Sequence, residues 1–284
     1  MIEPSWQLSA SISLVLTLVW VACSVSSASS LRVVKAFALE FAVLVGVFAV
    51  YQHTAYLAHG KTAGAYANAM DIWNLERTLH LPSEVAVQQL TAGWSAVEQS
   101  LNWYYGYMHL NVMTAFVVWM WWRHRERYAL LRNTVAITTL ACVLIQMVPV
   151  APPRMFPGLG FVDTAKVYGQ SVYADGGIAD QLGAMPSIHV AWAGIVGLFG
   201  AWAVGRRWGW VFILHFFAVS YVVVATANHW WLDGVVGLAV MGVVMAVLLP
   251  IHRWLRRRAL AGESGASAGA PDELPESEAA AALP

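Results

Sequence analysis

The chain has 284 residues, of which 59% are hydrophobic and 11% are charged, and its formal net charge is zero. Soluble domains usually carry about 25% charged residues, so this composition excludes an ordinary soluble domain and indicates a membrane protein. The balanced charge favours no acidic partner, and we expect no nucleic acid among its partners.

Seven apolar runs come close to the length of about 20 residues that a helix needs to cross a bilayer. Each run is apolar around its whole circumference, which is typical of a membrane span. Glu3 and no Lys or Arg precede the first run, unlike in a secretory signal, so we interpret it as a retained span. The sequence predicts an all-α, polytopic transmembrane helical bundle over residues 1–258, with spans at 6–28, 36–57, 102–122, 129–150, 187–204, 208–227 and 229–250.

The basic residues predict the orientation of this bundle. Twelve of the sixteen fall on one side if every span crosses once, namely Arg32, Lys35, Arg123, Arg125, Arg127, Arg132, Arg206, Arg207, Arg253, Arg256, Arg257 and Arg258. The positive-inside rule makes that side cytoplasmic. We therefore expect an integral protein of the plasma membrane, with its N-terminus and the loops 58–101 and 151–186 outside and its C-terminus inside.

The first outer loop shows helical apolar spacing, followed at Pro82-Ser83-Glu84 by a pattern typical of a new helix start. We expect two short helices over residues 64–98, either lying on the outer membrane surface or packing over the bundle. Loop 151–186 is rich in Pro and Gly and is predicted to be irregular. Residues 259–284 contain no aromatic residue and are rich in Ala, Gly, Ser, Pro and acidic residues, which predicts a disordered cytoplasmic tail.

Two short strings at predicted span starts carry residues capable of chemistry. The first is Met-Pro-Ser-Ile-His-Val-Ala-Trp over residues 185–192, where Pro186 and Ser187 are typical of a helix start and His189 follows in the first turn. Ionisable side chains at membrane depth are costly and tend to be functional. We interpret His189 as a functional residue for that reason.

The second string begins at Asn228, a residue type that suits a helix N-cap. His229 and Asp233 are four residues apart, so they lie on one helix face. In that geometry a carboxylate can hold one imidazole nitrogen in its protonated tautomer and leave the other bare. The bare nitrogen is then a nucleophile or a base.

The predicted topology brings these residues to the outer membrane boundary, because the fifth and seventh spans both run inwards. Helix N-termini there favour anions, above all phosphate, and Arg154 adds a fork of donors that matches phosphate oxygens. We predict that His229 attacks the phosphorus of a membrane lipid phosphoester and that Asp233 orients it. His189 would protonate the leaving oxygen and then deprotonate the incoming water or alcohol. The predicted substrate-binding residues are Arg154, Ser187 and Asn228.

At these residues the sequence resembles the type 2 phosphatidic acid phosphatase superfamily. The first string is similar to its signature Pro-Ser-x-His, and His229 with Asp233 is similar to a signature that ends in His, three residues and Asp. The resemblance implies a helical membrane bundle, phosphoester chemistry without metal or cofactor, a phosphohistidine at His229 and acid/base duty for His189.

Two departures from the superfamily pattern bear on the substrate. The signature of Lys, six residues and Arg-Pro is missing, and residues 151–154 occupy its place; Val222 and Val223 stand where Ser-Arg normally precedes the last histidine. The pattern is more similar to the inositol phosphorylceramide synthase branch, whose members pass a headgroup phosphate from one lipid to another alcohol. That branch implies an alcohol acceptor such as inositol.

Three alternatives remain open at the level of sequence. Hydrolysis of a lipid phosphate, such as phosphatidic acid or an isoprenoid phosphate, differs from transfer only in the last acceptor. The chain could be a metal or haem protein in which His189, His229 and Asp233 are ligands. It could also be a transporter that binds an anion at its helix N-termini. The other histidines on apolar helices, His53, His109 and His215, are interpreted as packing residues.

Overall fold

The computed structural model describes residues 5–26, 28–58, 64–172 and 181–268. Throughout these ranges the chain is helical and no strand is present, apart from an isolated bridge between Val150 and Gly183. The predicted all-α class is confirmed. The helices are α1 Trp6–Val25, α2 Arg32–Ala58, α3 Ala65–Thr78, α4 Glu84–Gln89, α5 Ser95–Trp103, α6 His109–Arg123, α7 Arg125–Ile145, α8 Thr164–Val167, α9 Ile188–Val204, α10 Gly209–Ala225 and α11 Trp231–Ala268.

A π-helical turn over Tyr104–Met108 joins α5 to α6, so residues 95–123 form one uninterrupted helix. Short π-helical turns of this kind are often found at functional sites. The predicted third span lies within this long helix.

The membrane character of the chain is supported by four helices that are long and apolar enough to cross a bilayer: Trp6–Val25, Arg32–Thr54, Arg125–Ile145 and Trp231–Arg258. Helices α9 and α10 are apolar but shorter. Length and composition therefore identify four candidate spans, and the predicted count of seven is not confirmed.

Helix α9 lies at the centre of the bundle and packs against α6, α7, α10 and α11. Its large side chains Ile195 and Phe199 are fully buried in a core with Met120 and Leu131. Small residues form much of the rest of its buried surface and let neighbouring backbones approach closely, as is typical of membrane helices; they are Ala191, Ala193, Gly194, Gly197 and Gly200.

The first predicted outer helix is present as α3. The second begins as predicted at Glu84, where Ser83 caps α4 by accepting a hydrogen bond from the Ala86 N–H, but α4 ends at Gln89 and residues 95–98 belong to α5. Of the two placements considered, the structure supports packing over the bundle. Ala65 and Ala69 of α3 are buried against Trp230, which immediately precedes α11. These helices thus cover the end of the bundle where the two motif strings lie.

The loop before α9 is irregular as predicted, with two single 3₁₀ turns at Pro153–Met155 and Pro157–Leu159 and the short helix α8. Residues 173–180 lie outside the described ranges. At the C-terminus, α11 continues to Ala268 and so includes the first part of the tail that the sequence predicted to be disordered. The prediction for residues 269–284 falls outside the described ranges.

Candidate active site

His229 lies just ahead of α11 and is buried, with 5% of its surface exposed. Its Nδ1 is 2.9 Å from the Ala184 carbonyl oxygen and 3.2 Å from Asp233 Oδ2. Because both of these neighbours are acceptors, Nδ1 carries the proton and donates to them. Nε2 therefore keeps its lone pair, and it makes no hydrogen bond to any described residue. The predicted contact between His229 and Asp233 is present.

Asp233 is fully buried in the first turn of α11. Besides the contact with His229, its Oδ2 accepts a hydrogen bond from the Trp230 N–H at 2.9 Å. A carboxylate that reaches back three residues to a backbone N–H is the second half of a capping box. Asp233 thus fixes the helix start and the tautomer of His229 with the same oxygen.

His189 stands in the first turn of α9, and the centroid of its ring is 5.4 Å from that of His229. Ser187 caps α9 by accepting a hydrogen bond from the Val190 N–H, as predicted for this string. The Ser187 hydroxyl is fully buried, so the structure gives it a capping role. Its binding of substrate stays a prediction.

A close contact between α9 and α11 sets the separation of the two histidines. The Ser187 N–H donates to the Asp233 carbonyl oxygen at 2.9 Å. One turn further along α11, a Cβ added to Gly237 would lie 2.6 Å from the Ser187 carbonyl oxygen. Real Cβ atoms do not come that close to an oxygen, so only glycine at this position permits the approach.

Two side chains that sequence reasoning did not place in the site also lie against His189. The His109 ring centroid is 3.9 Å from that of His189, and the Tyr105 ring is stacked on His189 at 4.5 Å. His109 Nδ1 is 3.1 Å from the Tyr105 carbonyl oxygen, an acceptor that favours a proton on Nδ1. His109, which the sequence predicts to be a packing residue, thus packs against a proposed acid/base group.

Arg154 is buried on the 3₁₀ turn that follows Pro152. Its Nη1 donates to Asn228 Oδ1 at 2.7 Å, and its Nε is 3.7 Å from Asp163 Oδ2. Asn228 does not cap α11, which begins three residues later at Trp231; its carboxamide instead holds the Arg154 guanidinium and donates to Thr226. The predicted N-cap role of Asn228 is thus replaced by a contact with Arg154.

A small cavity opens between Arg154 and Asn228. Tyr105 is part of its wall and also stacks on His189, so the cavity borders the histidines. Its other polar walls are Asn102 and Gln170, which bond to each other at 3.2 Å. The space holds about one water molecule, so it provides a polar contact beside the guanidinium and no room for a larger group.

The helix ends present fewer unsatisfied N–H groups than the sequence suggested. The Val190 N–H is taken by Ser187, the Trp230 N–H by Asp233, and the Leu232 N–H by Glu76 Oε1 at 2.7 Å. In the described part of the chain, no group of three or more His, Cys, Asp or Glu side chains is arranged to hold a metal ion.

Comparison with known proteins agrees with the motif resemblance at the level of the superfamily. A family model described as the PAP2 superfamily, where PAP2 stands for type 2 phosphatidic acid phosphatase, matches residues 70–247, which is more than half of the chain. The match includes every side chain of the candidate site. No curated protein and no solved structure is significantly similar to the chain.

Proposed function

The chain belongs to the PAP2 superfamily, and we propose that it transfers the phosphate of a membrane lipid phosphoester through a phosphohistidine formed at His229. One observation carries this proposal. The Nδ1–H of His229 is held by Ala184 and Asp233, while Nε2 has no partner among the described residues. A bare, oriented imidazole nitrogen is the form required for nucleophilic attack.

In the proposed first step, Nε2 of His229 bonds to phosphorus and the bond from phosphorus to the leaving oxygen breaks. His189 donates the proton that the leaving oxygen needs. In the second step, His189 takes a proton from water or an alcohol, whose oxygen then attacks phosphorus and releases His229. The Asp233 carboxylate stabilises positive charge on the imidazole while the phosphoryl group is attached.

Arg154 is the proposed partner of the phosphate oxygens, because its planar fork can donate to two of them at once. Asn228 holds that fork at 2.7 Å, so its proposed part in substrate binding acts through Arg154. Arg154, together with His189 in its protonated form, would offset the negative charge on the phosphoryl group during transfer.

We further propose that seven helical stretches cross the plasma membrane: α1, α2, the long helix of residues 95–123, α7, α9, α10 and α11. With the N-terminus outside, the site lies at the outer headgroup level, and the C-terminus is cytoplasmic. The distribution of Lys and Arg supports this orientation. Attachment of an impermeant thiol reagent to single cysteines placed in each connection tests it. Labelling of the connection between α6 and α7 in intact cells would reverse the orientation.

For the acceptor, we propose an alcohol of the inositol type, supported by the motif pattern at residues 151–154 and at Val222 and Val223. The alternative is water, which would make the protein a lipid phosphate phosphatase. Purified enzyme with a panel of lipid phosphates and phosphodiesters, with and without inositol or glycerol, separates the two. A new headgroup adduct by mass spectrometry supports transfer, whereas free phosphate in all reactions supports hydrolysis.

Two further measurements test the alternatives of a metal or haem protein and a transporter. Activity that survives prolonged chelation supports the proposed mechanism, and activity lost on chelation would favour a metal centre. Lipid flux in liposomes without any cleaved phosphoester would favour a transporter and contradict the proposal.

A further inference from the structure

Two buried acidic residues lie behind the first turn of α11. Glu76 of α3 and Glu84 of α4 are both fully buried. A buried carboxylate is stable only if it is paired, hydrogen-bonded or protonated. Glu84 Oε2 is 2.9 Å from Arg77 Nη2, and Glu76 Oε1 accepts the Leu232 N–H at 2.7 Å. One oxygen of each carboxyl group is satisfied in this way.

The two carboxyl groups are neighbours, because Arg77 Nη2 lies 3.9 Å from Glu76 Oε2 and 2.9 Å from Glu84 Oε2. Glu76 Oε2 and Glu84 Oε1 have no hydrogen-bond donor among the described residues. Two carboxylates cannot bond to each other, but a carboxylic acid and a carboxylate can. A single proton between them would satisfy both oxygens.

The surrounding charges favour that proton. Asp233 of α11 is a third acidic group close enough to act on Glu76, and the nearby cation is Arg77, 3.9 Å from Glu76 Oε2. Three ionised carboxyl groups against one guanidinium would leave excess negative charge in a buried place. Burial, followed by the hydrogen bond to Glu84, raises the pKa of Glu76 to about 9.

We propose that Glu76 and Glu84 share one proton at neutral pH and that this acid pair positions the turn that carries His229 and Asp233. The link is direct, because Leu232 lies between those two residues and its N–H is held by Glu76. Glu76 is thus a positioning residue, and this role rests on the proposed function of His229. Loss of the shared proton would leave two adjacent carboxylates at Glu76 and Glu84, and their repulsion would displace Glu76 together with the turn whose Leu232 N–H it holds.

The sign of the pH effect follows from the raised pKa. Below about pH 9 Glu76 keeps its proton and the turn stays in place; as pH rises through about 9 the proton and the activity are lost. Glu76→Gln cannot ionise, but it keeps an acceptor for Leu232 and gains a donor for Glu84. The kcat/KM of Glu76→Gln, divided by that of the wild type, should rise about tenfold from pH 7 to pH 10.

The matched control is Asp71→Asn, which removes an exposed carboxyl group from the same helix. Its kcat/KM relative to the wild type should stay constant over that pH range. If kcat/KM depended on pH in the same way for the wild type and for Glu76→Gln, the proposal would be overturned. Glu76→Leu should lower kcat at every pH, since it also removes the acceptor of the Leu232 N–H.

Infrared spectroscopy tests the shared proton without any substrate. The wild type at neutral pH should show the C=O stretching band of a protonated carboxylic acid, and Glu76→Gln should lack it while Asp71→Asn keeps it. Glu84→Gln should shift the frequency of this band, because the Glu76 proton then no longer bonds to a carboxylate. A band retained in Glu76→Gln, or unshifted in Glu84→Gln, overturns the proposal. A protein that shows the expected bands but cleaves no phosphoester would contradict only the proposed function.

Discussion

The Ser187 N–H donates to the Asp233 carbonyl oxygen at 2.9 Å, which ties the first turn of α9 to the first turn of α11. The bond joins the segment that contains His189 to the segment that contains His229 and Asp233. Its length depends on Gly237, whose missing side chain leaves room for the Ser187 carbonyl group.

Gly237→Ala should separate these helix ends. The added Cβ would lie 2.6 Å from the Ser187 oxygen, and relief of such overpacking costs about 1–3 kcal/mol. We expect a lower melting temperature in detergent and a lower kcat. Gly242→Ala is the control on the same helix, because no packing partner among the described residues lies within 4 Å of its new Cβ, and it should be neutral or slightly stabilising. Equal behaviour of the two variants would contradict the close contact.

His229→Ala should abolish turnover, by roughly 10³-fold or more, because it removes the proposed nucleophile. Asp233→Asn keeps the size of the side chain but removes its charge, and should cost roughly 10²–10⁴-fold in kcat. Both variants should elute as folded protein in size-exclusion chromatography. A phosphorylated peptide in the wild type that includes His229 and is missing in His229→Ala would identify the intermediate; wild-type turnover in either variant would end the assignment.

His189→Ala should slow the enzyme by an amount that depends on the leaving group. A general acid contributes about 10²–10⁴-fold when the leaving oxygen needs a proton, and contributes little when a substrate such as a nitrophenyl ester leaves as a stable anion. The measurement is kcat/KM for a series of esters of rising leaving-group pKa. An identical loss across the series would show that His189 does not protonate the leaving oxygen.

His109→Gln should lower kcat by roughly 10-fold to 100-fold with little change in KM, since its ring packs on His189 at 3.9 Å and a small displacement of an acid/base group is costly. His252, about six turns along α11 from its first residue, provides the control as His252→Gln, which should retain wild-type kinetics. A loss of the same size in both variants would mean that the site does not depend on His109 in particular.

Arg154→Lys should raise KM for the lipid phosphoester by about tenfold while the protein stays folded, because a lysine cannot make two parallel bonds to a phosphate. Lys166→Ala changes an exposed cation on the nearby α8 and should leave KM unchanged. An unchanged KM in Arg154→Lys would remove Arg154 from the phosphate site.

The parts of the site that could be predicted from sequence are those set by local spacing. His229 and Asp233 meet because they are four residues apart in one turn, and Ser187 caps α9 because it directly precedes a helical run. Both relationships depend only on the geometry of one helix. Contacts within a single helix turn, such as that between His229 and Asp233, can therefore be predicted from the sequence.

The contributions of His109 and Glu76 could not be predicted in this way. They come from other helices, and their distance to the site depends on how α3 and the long helix of residues 95–123 pack against α9 and α11. The residue type of Asn228 is common at helix N-caps, and the sequence predicts a cap there for that reason alone. In the structure Ala227 has a left-handed backbone, with φ of 53°, which turns the chain before the helix starts and directs Asn228 to Arg154 instead.

The π-helical turn over Tyr104–Met108 gives the long helix one surplus residue just where it passes the imidazoles. Each residue of an α-helix accounts for about 100° of rotation, so removing one residue there would rotate residues 109–123 about the helix axis by that angle. The His109 ring would then point away from His189, although the helix would keep nearly the same length and composition. The rotation that the π-helical turn imposes thus determines whether the His109 ring reaches the reaction centre.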